Sequence, residues 1–409
     1  MPPLPHTEPA DQRVAFVLRL GRALHTSGYA AHRLEEALAL MSDRLGLDGQ
    51  FFSLPTSIMA SFGAQDDQRT FMIRVEPAES DLGKLARVDE VARRVLNGQM
   101  SPQEGSVAIE TIEAASPRFG PVTTTLAFGL VSGGAARFLG GGLHEVIVAA
   151  AIGLVTGALA LVAARHVAVG RVFDPLAAFI ASMLAAAAAV AGLHVSVFLA
   201  TLSGVIVLIP GLMLTTAVTE LSTKHLSSGT ARLMGALVLL LGIAFGIAIG
   251  AKTADLLIGT PHSSPIVPLP GWTLALAVLI SPIGFAVLLK ADVHDFLWIV
   301  VAGIVAFVGA RVGSNALGAE LGAFVGGLMT GVGSNWYARL TNRPAQITLV
   351  PGLLVLVPGS VGLQSLASLL DRNVEVGVDS AFRMALIATS LVAGILIANV
   401  ISPRRKLMT

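Results

Sequence analysis

Hydrophobic positions follow two different regimes along the chain. Up to about residue 118 they recur at helical or strand spacing, and beyond it they run almost without interruption. In the first regime Val14, Val17, Leu18 and Leu24 share one helical face, which Gly28 interrupts. Leu34, Leu38, Met41 and Leu45 mark a second helix ending at Gly46. The period then changes to two. Phe52, Leu54, Ile58, Ala60 and Phe62 alternate with small or polar residues, a GAQDDQ turn follows, and Phe71, Ile73 and Val75 alternate again, which predicts a β-hairpin. Amphipathic patterns over 81–97 and 101–115 predict two further helices. The expected unit is a small α+β domain, residues 1–118, on the cytoplasmic side.

The second regime reads as membrane-spanning. A span needs about 20 apolar residues, and ten segments qualify: 121–141, 143–164, 173–193, 195–219, 230–251, 271–290, 295–313, 315–335, 346–369 and 380–401. Lys and Arg set the orientation. With the head inside, the cytoplasmic loops and tail carry ten of them, including Arg165, Lys224, Arg232, Lys290, Arg339 and Arg343. The opposite loops carry five: Arg137, Lys252, Arg311, Arg372 and Arg383. Both termini are therefore expected inside.

A repeat lies within this apolar body. GVIVLIPG at 204–211 and GLLVLVPG at 352–359 agree at five of eight positions, 148 residues apart. LAAFIASML at 176–184 resembles LGAFVGGLM at 321–329, with Asp174 and Glu320 just before them. A unit of five spans is odd, so the second copy is inverted, the arrangement of many secondary transporters. The expected fold is an α-helical polytopic membrane protein with about ten transmembrane helices in a 5+5 inverted repeat. The first repeat is residues 119–251, an extracytoplasmic linker covers 252–270, and the second repeat is 271–409.

Composition sharpens this. Only 13% of the 409 residues are charged and 54% are hydrophobic, whereas soluble domains carry about 25% charged residues. An ordinary soluble enzyme is excluded. The head holds 12 Lys and Arg against 16 Asp and Glu, so it offers no basic surface to nucleic acid. Cysteine is absent, which removes disulfides and thiolate metal sites. The N-terminal MPPLPHTEPADQR has no apolar core and does not read as a signal peptide. No Walker motif is present, and His144-Glu145 is not a zincin because Val148 stands where the second His would be. No cofactor or metal is expected.

The candidate chemistry is sparse. Pro210-Gly211 and Pro358-Gly359 fall in apolar spans, where proline removes a donor and glycine frees the backbone. Such breaks expose N–H groups at the positive end of a helix, suited to an anionic group. Thr215 and Thr216 follow the first break and can hydrogen-bond a substrate hydroxyl, or simply face a helix surface. Intramembrane carboxylates are functional candidates by default. Glu320 is the deepest in its segment, Asp174 doubles as an N-cap candidate, and Glu220 is expected near the cytoplasmic mouth. Glycines spaced by four, Gly242, Gly246, Gly250 and Gly318, Gly322, Gly326, read as close-packing faces.

SGYAAHRLEEALALMSDRLGL, FFSLPTSIMASF, LIPGLMLTTAVTELSTKHLSSGTARLMGAL and RPAQITLVPGLLVLVPGSVG together resemble the threonine/serine exporter family of bacterial inner-membrane proteins, over nearly the whole chain. The resemblance implies a secondary exporter driven by the proton-motive force, with Arg232 on the family's SG-x-x-R stretch. Threonine, serine or similar amino acids are the implied substrates. The Pro-Gly breaks and Arg232 would meet the substrate carboxylate, and Glu320, Asp174 or Glu220 the ammonium or a coupled proton. Implied partners are the small-molecule substrate, protons and the lipid bilayer; a homo-oligomer is compatible with the chain. The rivals are dicarboxylate export, anchored on Arg232 or Arg383, and a membrane sensor whose head signals.

Overall fold

The computed structural model describes residues 9–76, 80–260, 264–356, 359–370 and 373–403. Pro358 and Arg372 lie outside the described residues, as does the basic tail at 404–406.

The head begins with α1 (Pro9–Thr26) and α2 (Ala31–Arg44). Gly28 turns the chain between them with φ +95°, and Gly46 closes α2 with φ +67°, a region that favours glycine. Three strands follow, β1 (Gly49–Leu54), β2 (Ser57–Phe62) and β3 (Arg69–Arg74), paired antiparallel in the order β1-β2-β3. The expected hairpin is thus a three-stranded meander. The alternating run over 52–62 is two strands, because Pro55-Thr56 forms a two-residue turn with Leu54 opposite Ser57. Proline has no N–H to give a ladder and belongs at such a turn. Helices α3 (Leu82–Leu96) and α4 (Pro102–Ala114) complete the unit. Asp81 accepts from the Lys84 amide at the start of α3, and Ser101 with Glu104 forms a capping box on α4.

His25 is buried in this unit, its Nε2 3.0 Å from the Leu54 carbonyl oxygen, which only the Nε2–H form can satisfy. Burial pulls its pKa below the ordinary 6.5. The unfolded chain therefore binds the extra proton first as pH falls. The neutral His25 contributes its full stability above 6.5, and that contribution is lost as pH drops through the lower folded value. Thermal unfolding followed from about pH 7 to about pH 5 should show a falling midpoint, with a shallower fall in His25→Gln, whose amide still reaches Leu54 without titrating. An equal slope in both would exclude His25 as the source.

The remainder is helical: α5 (Pro121–Phe138), α6 (Leu143–Ala163), the short α7 (Val167–Gly170), α8 (Phe173–Val190), α9 (Val197–Gly204), α10 (Gly211–Ser222), α11 (Leu226–Leu257), α12 (Trp272–Leu288), α13 (Phe296–Leu317), α14 (Ala319–Thr341), α15 (Gln346–Leu356), α16 (Gly359–Leu370) and α17 (Val374–Ile401). Among the described residues, six segments are long and apolar enough to cross a bilayer: α6, α8, α11, Val293–Leu317, Gln346–Leu366 and α17. A seventh is the pair Val197–Gly204 and Ile206–Ser222, bent by 50° at the break between them. Of the other expected spans, α12 is short at 17 residues, and α5 and α14 are diluted by Gly, Ser and Thr. The polytopic helical architecture holds with six or seven candidate spans. Helix α11 also runs on to Leu257, through the first residues of the expected linker.

Small residues set the packing. A side chain at Gly246 would lie 2.2 Å from the Pro175 carbonyl oxygen and one at Gly250 2.6 Å from that of Phe179, so α8 and α11 touch backbone to backbone. At Gly322 a side chain would lie 2.8 Å from the Ala310 carbonyl oxygen, so α14 also packs close on the backbone of α13. The apolar core of the head also continues into this body through Ala286, Ala291, Ile299, Tyr337 and Ile347. The head is docked on the ends of α12 to α15.

Element boundaries recur. Helices α10 and α16 both have 12 residues and both start at the glycine of a Pro-Gly pair. Each leads after a three-residue gap into a long helix, α11 or α17. The start and end of α16 and the start of α17 each fall 148 residues after their counterparts in α10 and α11, whereas the long helices α11 and α17 end 144 apart. α8 packs on α11 as α14 packs on α17, and α10 meets α17 while α11 meets α16.

Candidate functional site

The break at Pro210 is built by a sequence that cannot continue a helix. Helix α9 ends at Gly204, a single 3-10 turn covers Ile206–Leu208, and Ile209 is extended. Pro210 then caps α10 with φ −76° and ψ 47°. The Gly211 amide bonds back to Ile209 at 2.7 Å, and the Leu214 amide is the first to enter the helical ladder, on the Pro210 carbonyl at 2.9 Å. The amides of Leu212 and Met213 between them have no intrahelical acceptor, as the opening turn of any helix requires. They carry the positive end of the helix dipole at a half-buried position inside the bent span. Thr215 is buried one turn on and donates its hydroxyl proton to the Gly211 carbonyl at 3.1 Å, leaving its lone pairs available. Thr216 is half-buried beside it. In the second break Gly359 opens α16, and Pro358 lies outside the described residues.

Glu220 ends the same short helix and is fully buried. Its Oε1 accepts from the Ala31 amide of the head at 2.9 Å. Ser228 donates to Oε2 at 2.8 Å, and Arg232 Nε reaches both oxygens at 3.1 and 3.0 Å. The turn that allows this holds Lys224 at φ +66°. Glu220 and Arg232, expected as separate candidates, are thus one ion pair, and the first amide of α2 is its third member. Beside it His225 Nε2 lies 3.2 Å from Glu35 of α2.

The expected depth of Glu320 is not found. Gly318, at φ +93°, separates α13 from α14, so Glu320 stands in the first turn of α14 rather than mid-span. It is half-buried, 3.9 Å from Arg383, which also pairs with Asp379 at 3.0 Å. Asp174 occupies the matching place in the first turn of α8. It is half-buried and has no cationic partner among the described residues.

A second ionic cluster, not singled out from the sequence, joins head and body. Arg343 donates to Asp292 Oδ2 at 3.0 Å and to Asp295 Oδ2, Tyr337 donates to Asp295 Oδ1 at 2.8 Å, and Arg118 reaches Asp292 Oδ1 at 2.6 Å. Asp292, His294 and Asp295 hold three ligand atoms within 4.8 Å. The guanidinium groups of Arg343 and Arg118 already neutralise both carboxylates there, so the cluster is an ion-pair network rather than a cation site. Its sequence signal was the basic RPAQ turn facing an acidic DVHD loop, which no periodicity links.

Residues 15–254 match one model of the threonine/serine exporter family and residues 274–401 match a second. The chain is 27% identical over 409 residues to pheromone-regulated membrane protein 10 of Zygosaccharomyces rouxii, covering 95% of this chain and 41% of that protein. Against the Eremothecium gossypii protein of the same name it is 27% identical over 405 residues, 95% and 54% of the two chains. The Kluyveromyces lactis one is 31% identical over 247 residues, 59% and 26%. The chain therefore spans about half or less of these relatives' length. No solved structure matches.

Proposed function

The chain belongs to the threonine/serine exporter family, and from that premise we propose that it exports threonine, serine or similar small amino acids by proton-driven secondary transport. The observation that carries the reading is the bent span at Pro210, whose free Leu212 and Met213 amides and buried Thr215 supply an anion site beside a hydroxyl acceptor. A zwitterion also needs a carboxylate. Asp174, half-buried without a cationic partner among the described residues, is the group best placed to exchange a proton, with Glu320 its counterpart in the second copy. Glu220 is committed to Arg232 and the head, and in this reading it holds the short helix in register.

The architecture in this reading is ten crossings in a 5+5 inverted repeat, in a cytoplasmic membrane with both termini inside. Alternate loops support it. The turns after α10, α12 and α14 meet the head or its ion pairs, and Pro403 beyond α17 meets Arg339 on the same side. The loops after α5, α8 and α11 meet one another instead, through Arg137 with Thr273, Glu145 with Ser196, and Ser264 with Val195.

Counterflow in proteoliposomes tests the substrate. Labelled threonine should exchange and labelled succinate should not, and an imposed pH gradient should drive net threonine movement. Asp174→Asn should lose the gradient-driven flux by ~10-fold or more, as expected where a charged group is removed from the coupling step, while retaining exchange. Succinate exchange without threonine exchange would replace the reading with dicarboxylate export.

A further inference from the structure

A cavity of about 490 Å³ lies where the head meets the turn between α14 and α15. That size is in the range of small-molecule sites. It is walled by α2, α3 and the first residue of α15, and no step of the transport reading uses it.

Its lining is polar in a specific way. Gln346 is nine-tenths buried, lines the cavity, and its Nε2 has no hydrogen-bond partner. Arg93 Nε, on the α3 wall, is also buried without a partner. A buried donor left unpaired is costly, so both atoms call for an acceptor from whatever fills the space. Arg33 and Arg343 add two guanidinium groups to the same lining. Burial holds the Arg33 guanidinium below its ordinary pKa, with Glu36 and Asp89 as carboxylate neighbours that oppose the effect. Glu36 and Asp89 line the cavity too.

Arg343 is shared by Asp292 and Asp295 and Arg93 Nη2 meets Glu90, which leaves the Arg33 guanidinium, the Arg93 Nε–H and the Gln346 amide facing Glu36 and Asp89, a mixed lining that discriminates among ligands by charge. A simple dianion gains from the arginines but is repelled by Glu36 and Asp89. A simple cation meets the reverse. A molecule that carries an ammonium and a carboxylate satisfies both sets.

We propose that this cavity is a binding site for a small zwitterion, an amino acid or short peptide, whose carboxylate takes the Gln346 and Arg93 donors and whose ammonium lies toward Glu36. The assignment stands on the lining and is independent of the transport reading. Its consequence is mechanical. The start of α2 is tied to α10 and α11 through Glu220, whereas the cavity joins α2 and α3 to the start of α15. An occupant fastens the head to the second of the two helices that precede a Pro-Gly break, so the level of free zwitterion on the head side sets how firmly the head grips it.

Hydrogen exchange on the full chain in nanodiscs tests this, with millimolar threonine, glycyl-threonine, succinate or inorganic phosphate. Threonine or the dipeptide should protect peptides covering 29–40, 89–93 and 342–346, and the response of the two identifies the source. Gln346→Leu should weaken that protection by at least ~10-fold in ligand concentration, the loss expected for a hydrogen bond to a charged group. Glu36→Gln, at an exposed position that leaves the fold intact, should weaken it similarly for the zwitterions. Protection of the 205–216 segment reports the transport site separately and should be unchanged in both variants. No protection at the three cavity segments, protection by phosphate or succinate alone, or protection indifferent to both substitutions would each overturn the proposal.

Discussion

Glu220→Ala is expected to destabilise the protein by about 3–5 kcal/mol, the cost of breaking a buried ion pair from one side, and to abolish export. The carboxylate is fully buried, and its two oxygens serve the Ala31 amide, the Ser228 hydroxyl and the Arg232 guanidinium. Truncation leaves all three donors without their acceptor, and Arg232, mostly buried, without its counter-charge. Glu220→Gln removes the charge but keeps an acceptor, so its loss should be smaller. Glu220→Leu combined with Arg232→Met removes both charges together and should recover much of the stability, as buried pairs often do when replaced by apolar groups. Thermal unfolding of the three variants in one detergent gives the stability side, and proteoliposome export gives the other. A double variant that is stable yet inactive would show that the pair acts in transport and not only in docking. Wild-type stability in Glu220→Ala would remove the pair from any account of how the head is held.

How much of this was legible beforehand depends on the range of the interaction. The α1 and α2 faces, the Pro210-Gly211 break and the close-packing Gly246, Gly250 and Gly322 are local patterns found where their spacing placed them, whereas Gly242 makes only ordinary contact and Gly318 divides two helices. The run over 52–62 was misread as one strand because its alternation continues in phase through Pro55-Thr56, and only the missing proline donor marks the turn. Glu320 lies shallower because the expected boundary between 295–313 and 315–335 falls four residues early: α13 runs on to Leu317, and the positive φ of Gly318 lets α14 start only at Ala319. The ion pairs were illegible in kind. Ala31 and Glu220 are 189 positions apart, and Arg343 lies 48 from Asp295. Nothing periodic connects them, so the docking of head on body, and with it the site between them, emerges only in three dimensions.

Arg343→Ala should cost a similar ~3–5 kcal/mol, again because a buried charge loses its partner, and it should loosen the α12–α13 loop on which the head rests through Arg118. The guanidinium bridges Asp292 and Asp295, whose side chains are 10% and 3% exposed. Asp292 keeps Arg118, but Asp295 retains only the Tyr337 hydroxyl and the exposed His294 at 3.8 Å. Arg343→Lys tests the geometry, since an ammonium keeps the charge but lacks the planar fork that grips two carboxylates together. Its stability should fall between wild type and the alanine variant. Asp295→Asn in the Arg343→Ala background removes the stranded charge and should restore part of the loss, a coupling that independent sites more than about 7–10 Å apart would not show. Glu220 holds the head directly at Ala31, whereas Arg343 bears on it only through Asp292, which also takes Arg118, so limited proteolysis should release the head faster in Glu220→Ala than in Arg343→Ala, and fastest in both. If Arg343→Ala unfolds at the wild-type temperature and the head stays protected, the Asp292–Asp295–Arg343 network is a surface decoration, and the apolar contacts of Tyr337 and Ile347 alone hold the head on α14 and α15.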